Sequence, residues 1–448
     1  MNNLINQYFL YFILFFSVYS LDNSVIEIPI IPIEANRIPK YSNITIKERD
    51  ENIDNKTNNI ILIEEGQTTI NPNSLFLANI KIGSSQQQFN LILDTGSVIL
   101  WVPKVGSKDK HQMSNHFNPS NSANTTIPFY QKYGTGSCYG YYFKDNINYI
   151  FNKNFQMKFG VANITDFYVS GGDGIIGLAH YYNDKSLSFI HSLYEAGITN
   201  SKKFSFKFGE DISSGQKGKI IIGKHDDFSS SEVVSCPLIN FKSNADIFWA
   251  CQVTSFGLKN NNYEIKAAIN KNLIFDTGTN AIILPLETLY QLKDGFSKFG
   301  CDIYLQSDQK TNQIRCKNNE NVPNFRFEIN GNILTLPRNY GFYKSSSYYI
   351  FSTVLFQQMS NYYIIGSPFF LAFHTLFDEE TGKLFFHPEN RAFIERGSWF
   401  TASNIGAIVV VIILIIGLAV VIYYFIKYRK AKRDLDAFPQ NNYNYSFL

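Results

Sequence analysis

Residues Phe89–Pro103 read FNLILDTGSVILWVP, and Leu273–Pro285 read LIFDTGTNAIILP. In each stretch an apolar run leads into Asp-Thr-Gly, then Ser or Thr, then a second apolar run. Short runs rich in β-branched and aromatic residues read as strands. Each copy is thus a strand, a tight turn carrying an aspartate, and another strand. One Asp-Thr-Gly alone is an ordinary turn sequence. Two copies in the same apolar setting, with Asp276 placed 182 residues after Asp94, point to an internal duplication. We read Asp94 and Asp276 as a catalytic carboxylate pair.

Outward from these stretches the pattern stays β-rich. The chain has 448 residues, room for two lobes plus appendages, and carries 40 Phe and 28 Tyr, mostly in short apolar runs separated by Asn and Ser. SLFLANIKIG before the first aspartate reads as one arm of a hairpin leading into the catalytic strand. YGTGSCYGY (Tyr133–Tyr141) sets glycines on either side of Thr135 between aromatic strand residues and reads as a tight hairpin. GGDGIIGLA (Gly171–Ala179) is an apolar run broken by Gly174 and Gly177, where two backbones can approach closely. SLSFIHSLYEAG, ending at Gly197, reads as a helix. The scheme then repeats: FWACQVTSFGL is a strand, LETLYQLKDGF a short helix, and Ile364-Ile365-Gly366 takes the part of Ile175-Ile176-Gly177. The expectation is an all-β, bilobal chain with an N-terminal lobe at 68–234, a C-terminal lobe at 235–395 and the two aspartates in the cleft between them.

The ends of the chain say where it works. Tyr8–Phe16 is a short apolar run followed by small residues, the pattern of a signal peptide cleaved after Ser20. Residues 21–67 show isolated prolines and the charged patch KERDENIDNK without a sustained period, and are read as a prosegment. After a linker at 396–404, Ile405–Ile426 carries no charge. About 22 residues at ~1.5 Å each reach ~33 Å, against a hydrocarbon core of ~30 Å. Five Lys and Arg follow in the tail at 427–448 against two Asp, which accounts for the whole net charge of +3. That asymmetry predicts a single-pass type I membrane protein with a cytoplasmic tail and a luminal or extracellular body. The body is formally neutral, so nothing suggests a nucleic-acid partner. Asn43, Asn55, Asn124 and Asn163 are sequons on the luminal side. The chain ends Tyr445-Ser446-Phe447-Leu448, a Tyr-x-x-apolar tetrapeptide that fits a clathrin-adaptor pocket and predicts an endosomal or lysosomal address.

Two carboxyls sharing a cleft cannot both ionise comfortably, so such a pair titrates as a unit and holds one proton. The ionised member can take a proton from a bound water while the protonated one polarises a substrate carbonyl. This chemistry requires no covalent intermediate, metal or organic cofactor. Thr95 and Thr277 can brace the opposite lobe, Gly96 and Gly278 let backbone N–H groups reach the carboxylates, and Ser97 and Thr279 can orient the outer oxygens. The Gly-rich phosphate loop and α/β pattern of a phosphotransferase are missing.

Across roughly Thr68–Pro388 the chain resembles the pepsin-type aspartic endopeptidases. The resemblance rests on DTGS, Trp101 seven residues after Asp94, YGTGS, the two IIG loops and DTGT, in the family's order. It implies the bilobal acid-protease fold, with Asp94 and Asp276 as the dyad and polypeptides as substrates. Tyr133, Gly134, Thr135 and Gly136 would form a flap over the substrate. Trp101 would hydrogen-bond the flap tyrosine, and Ile92 and Ile175 would wall an S1 pocket that takes bulky apolar residues. Two copies within one chain exclude the homodimeric viral type, so a monomer is expected. The family's departures here are Asn280 after DTGT, Ser367 where Asp is common, no cysteine in SKDKHQMSNHF, and a prosegment without a basic bias. An inactive, peptide-binding or inhibitory relative is the other reading; such relatives lack an Asp, a flanking Gly or the flap tyrosine. By resemblance Cys316 belongs to a disulfide, taken to be Cys301–Cys316; Cys236 and Cys251, on what read as neighbouring strands, form a second, leaving Cys138 in the flap unpaired.

Overall fold

The structure is a computed structural model that describes residues 26–34, 74–396 and 402–436, apart from 112, 120–121, 135, 150–152, 168–171, 182–183, 209–217, 224, 226, 240–241, 244–245, 306–310, 318–319, 345–347, 359–362 and 390. Signal peptide 1–20, Asn43, Asn55, Thr135 and the tetrapeptide Tyr445–Leu448 lie outside the described residues. The chain divides into two units, Met1–Glu395 and Arg396–Leu448.

Alternating apolar runs become strands that bury one or both faces, and in the first unit they form a 13-stranded sheet, an 11-stranded sheet and a small 3-stranded one. The expected hairpin forms from Ser74–Ile82 and Gln87–Asp94, paired Ile82↔Gln87 through Leu77↔Ile92. The described helices of this unit are few and short. Phe189–Glu195 starts at Ser188, whose hydroxyl accepts from the His191 N–H, and the chain turns at Gly197 with a φ of 65°. Leu286–Leu292 runs on into a 3-10 turn ending at Phe299.

The 13-stranded sheet does not respect the division at residue 234. Phe373–Asp378 and Lys383–Pro388, from the second half of the chain, continue this sheet beside Lys203–Lys207, from the first, and Val234–Pro237, at the boundary, pairs on their far side. One aromatic core seals this seam. Phe204 stacks on Phe377 at 4.8 Å and 2°, and Trp249 meets both rings edge-on at 5.7 and 5.2 Å while its indole N–H donates to the Leu178 carbonyl.

Within the stretch read as a prosegment without period, Ile26–Glu34 is a strand in the middle of this sheet. Ile26–Ile30 pairs with Gly218–Ile222, and Ile31–Glu34 pairs with Ser74–Leu77. Pro29 and Pro32 argue against a central strand because proline lacks the ladder's N–H. Here each half of the strand pairs on one side only, so each proline behaves as an edge residue.

Both disulfides are present, and Cys138 is free and buried. Cys301 and Cys316 face each other across the hairpin of Cys301–Leu305 and Asn312–Lys317. Cys236 and Cys251 are not on neighbouring strands of one ladder: Val234–Pro237 belongs to the 13-stranded sheet and Ala250–Lys259 to the 11-stranded sheet. Their bond crosslinks the sheets where the chain passes from one to the other. Replacing Cys301 and Cys316 by serine should lower unfolding stability by about 3 kcal/mol in the chain-entropy model, read by denaturant titration.

A buried polar relay crosses the seam. His225 Nδ1 lies 2.7 Å from the Gly223 carbonyl, which can only accept, so in the neutral ring Nδ1 carries the hydrogen and Nε2 is bare. The Ser205 hydroxyl, 2.8 Å from that Nε2, must then donate to it, and His374 Nε2, 2.8 Å away on the other side, must donate to Ser205. His374 Nδ1 is left buried without a partner. Burial pushes the His374 imidazole well below its usual pKa, and Lys207, His225, His387 and Lys219 add to this. A histidine depressed in the folded state contributes stability above its unfolded pKa of about 6.5, and that contribution is lost as pH falls below it. Unfolding free energy should therefore drop between pH 7.5 and 5. His374→Gln, which keeps a donor near Nε2 but cannot be protonated, should flatten the slope by up to about 1.4 kcal/mol per pH unit. Parallel denaturation curves at several pH values check this.

The second unit contains the helix Ala402–Asp436, with an exposed apolar face on every side from Ile412 to Ile426. It is the one described helix long and apolar enough to cross a membrane. The expected span 405–426 lies inside it.

Candidate active site

Each aspartate sits at the end of a strand that a later strand locks in place. Gln87–Asp94 pairs in parallel with Gly174–Gly177, from Leu91↔Gly174 to Asp94↔Gly177, while Trp101 pairs with Ile175 on the other side. In the second half Glu264–Phe275 pairs in parallel with Tyr363–Ile365, and Ile283 pairs with Ile364. The returning IIG segment is thus threaded between the two strands that flank each Asp-Thr-Gly turn. A Cβ at Gly177 would lie 2.1 Å from the Val98 carbonyl carbon, and one at Gly366 2.1 Å from the Ala281 carbonyl oxygen. Only glycine fits at either crossing.

The turns grip one another across the cleft. Thr277 N–H donates to Thr95 Oγ1 at 2.9 Å, and Thr95 N–H to Thr277 Oγ1 at 3.1 Å. Each hydroxyl passes its own hydrogen to a carbonyl in the opposite half, Thr95 to Phe275 and Thr277 to Leu93, both at 2.7 Å. The two threonines are fully buried and every one of these four donors is used. The inner carboxylate oxygens accept from the backbone, Asp94 Oδ1 from Gly96 N–H at 2.9 Å and Asp276 Oδ1 from Gly278 N–H at 2.8 Å. The outer oxygens accept from side chains, Asp94 Oδ2 from Ser97 at 2.5 Å and Asp276 Oδ2 from Thr279 at 2.6 Å. All eight residues predicted for the pair and its supports are brought together.

The carboxyls meet directly. A Cβ on Gly96 would lie 2.6 Å from Asp276 Cγ, and one on Gly278 2.4 Å from Asp94 Oδ1, so each glycine opens the space that the other half's carboxyl fills. Burial pushes the Asp94 carboxyl well above the usual carboxylate range; the Asp276 charge adds to the shift, and the Ser97 hydroxyl opposes it. Beside Asp276, the raised Asp94 carboxyl favours its protonated form.

Above the pair, the strands Ala123–Tyr133 and Gly136–Tyr149 form the hairpin, with Tyr133 paired to Gly136 at its tip. Trp101 Nε1 donates to the Tyr133 hydroxyl at 2.8 Å. Indole N–H is only a donor, so the Tyr133 oxygen accepts in this bond, while the Ser97 hydrogen goes to Asp94. Ile92 and Ile175 lie beneath the hairpin, nearly fully buried with Trp101. Gly134 is exposed at the tip. Asn124 is exposed and Asn163 half-buried.

Two residues of this site were not singled out from the sequence. The Phe167 ring lies 4.6 Å from the Tyr133 ring and meets Trp101 edge-on at 6.0 Å. Asp166 Oδ1 accepts from the Ser137 N–H at 2.6 Å and from its hydroxyl at 3.1 Å. Their signal was faint: a charged and an aromatic residue ending the run that began at FGVAN. Among the described residues no group of three or more His, Cys, Asp or Glu is placed to hold a metal ion.

The geometry can be set beside known proteins. Residues 75–388 match the family model described as eukaryotic aspartyl protease. The chain is 26% identical to pepsin A of Gallus gallus over 328 residues, covering 70% of this chain and 84% of that protein. It is 28% identical to pepsin B of Canis lupus familiaris over 331 residues, covering 70% and 81%. Gastricsin of Homo sapiens is 23% identical over 323 residues, covering 68% and 78%. The matched region contains both Asp-Thr-Gly turns, their threaded IIG segments and the hairpin above them. The chain belongs to the eukaryotic aspartyl protease family and has its pepsin-like, mostly β fold.

Proposed function

We propose that this protein is an active aspartic endopeptidase, with Asp94 and Asp276 activating a water for attack on a peptide carbonyl. The observation that carries the reading is the pair of buried, facing carboxyls with donors on both oxygens of each member. The ionised carboxyl takes a proton from the water as it attacks, and the other gives its proton to the carbonyl oxygen. Collapse of the tetrahedral adduct needs the leaving nitrogen protonated, which the newly protonated carboxyl can do. The Thr95–Thr277 grip fixes the spacing and so lowers the reorganisation needed at each step.

Substrates are polypeptides cleaved between bulky apolar residues. Support comes from the apolar cluster of Ile92, Ile175, Trp101 and Phe167 under the flap, beside the partly exposed Tyr133. Inactive relatives, which would only bind peptides or inhibit, lose an aspartate, its glycine or the flap tyrosine; Asp94, Asp276, Gly96, Gly278 and Tyr133 are all in place.

We further assign residues 1–20 to a signal peptide, 21–67 to a prosegment, 68–234 and 235–395 to the two lobes, 396–404 to a linker, 405–426 to a transmembrane helix and 427–448 to a cytoplasmic tail. On this reading the body is luminal, Asn124 and Asn163 are glycan acceptors, and Tyr445–Leu448 binds a clathrin adaptor that delivers the protein to endosomes or lysosomes. The exposed apolar helix supports the anchor, and an acidic lumen suits a pair that must keep one proton. Tyr445→Ala should shift a tagged protein toward the cell surface in imaging; an unchanged distribution would reject the adaptor assignment.

The decisive assay is cleavage of a peptide library by the processed protein, with and without a transition-state-mimicking inhibitor. Asp94→Ala and Asp276→Ala should each lower kcat by about 10³-fold or more, with secretion retained. Tyr133→Ala should lower kcat/KM by about 10- to 100-fold and leave measurable turnover, because the flap orients substrate and transfers no proton. Turnover by either aspartate variant near the wild-type rate would reject the assignment.

A further inference from the structure

The flap is seated at two points, one on each strand. On the incoming strand Tyr133 is held by the Trp101 N–H and by the Phe167 ring. On the outgoing strand the anchor is Ser137, one residue past the turn. Its N–H and hydroxyl both donate to Asp166 Oδ1, at 2.6 and 3.1 Å, and its carbonyl accepts from the Asp166 N–H at 3.1 Å. Between them, Gly136 lies directly on this segment: its φ is +154°, and a Cβ there would come within 2.7 Å of Phe167 Cα and 2.8 Å of the Asp166 carbonyl oxygen. By contrast, a Cβ on Gly134 at the tip would meet nothing within 4 Å. Gly134 is therefore unobstructed, and residues 136–137 are the fixed base of the flap.

We propose that Asp166 is a positioning residue for the reaction: its carboxylate clamps Ser137 and so sets the height of the flap turn, and of Tyr133, over the cleft. The kinetic consequence rests on the reading of this chain as an endopeptidase; the clamp itself does not. Asp166 sits just past the end of the strand Lys153–Thr165, whose last residues are held on both sides. Thr165 pairs with Cys138 of the flap strand, and its carbonyl accepts from the Lys110 N–H at 3.1 Å. The Asp166 carbonyl lies 3.1 Å from His111 Nε2. A carboxylate on so firmly held a segment is a fixed anchor, and hydrogen bonds to an ionised acceptor are stronger than those between neutral groups. The two Ser137 donors, with the Lys110 charge behind them, hold the Asp166 carboxyl below its usual pKa, so the clamp stays charged in mildly acidic surroundings. Asp166 and Phe167 together form a two-residue saddle, the carboxylate taking one flap strand and the ring the other.

The test uses the full-length protein in detergent and needs no turnover. Amide hydrogen exchange should be faster at Ser137 and Cys138 in Asp166→Ala than in wild type, while Asp166→Asn, which keeps the acceptor oxygen, stays close to wild type. Binding of a peptide-like transition-state-mimicking inhibitor should weaken by roughly tenfold in Asp166→Ala, about the worth of one hydrogen bond to a charged group, and recover to within about threefold in Asp166→Asn. Unchanged exchange at Ser137 in Asp166→Ala would overturn the clamp. Faster exchange with unchanged inhibitor affinity would overturn its positioning role. A wild-type protein that binds the inhibitor but cleaves no peptide would reject the endopeptidase reading and leave both outcomes for the clamp readable.

Discussion

Two carboxyls buried side by side dominate this structure. Left to themselves they would repel when ionised and pay the cost of lost solvation, and the chain would open the cleft to relieve both. The reciprocal bonds of Thr95 and Thr277 oppose that opening at the place where it would start. Their hydroxyls reach carbonyls on the strands that carry the opposite aspartate, so separating the halves would leave four donors unmet in a dry site. The glycines at 96 and 278 follow from the same constraint, since any side chain there would occupy the space of a carboxyl. The threaded IIG strands carry the rigidity outward into both large sheets.

Equivalent sequences do not make equivalent surroundings. Ser97 and Thr279 do the same work for their own aspartates, but the tyrosine held by a tryptophan, Tyr133 on Trp101, stands on the side of Asp94. In the second half Thr279 is followed by Asn280. Near it Ser367, at the start of the short helix Ser367–Ala372, is fully buried with a hydroxyl that has no partner among the described residues. The hairpin with Tyr133, Trp101 and Asp166 all belong to the first half, so the duplicated floor around the aspartates is not matched by a duplicated hairpin contact among the described residues.

Much of this was legible in the sequence because it is local and repeated. Strand, Asp-Thr-Gly and strand recur with the glycine-bounded IIG runs, and the six residues that follow the two aspartates lie around them. What could not be read depends on partners far away in the chain. Ile26–Glu34 looked aperiodic because its prolines are tolerated only by a pairing that changes sides midway. Cys236 and Cys251 are close in sequence yet sit in different sheets, which spacing cannot reveal. Ser205 and His374 are 169 residues apart, and nothing local marks either as half of a relay. Asp166 carries an ordinary surface charge until Ser137 is brought against it.

The central claim is that the buried pair holds one proton and works in that state. The pH dependence of kcat/KM, measured on one apolar peptide, tests it most directly, since its two limbs report the macroscopic titration of the free enzyme's pair. The account predicts a bell on the acid side of neutrality, falling at low pH as the second proton binds and at higher pH as the shared one leaves. A rate that rises through a single step and stays flat above neutrality would contradict it, because a pair without its proton would then be the working form.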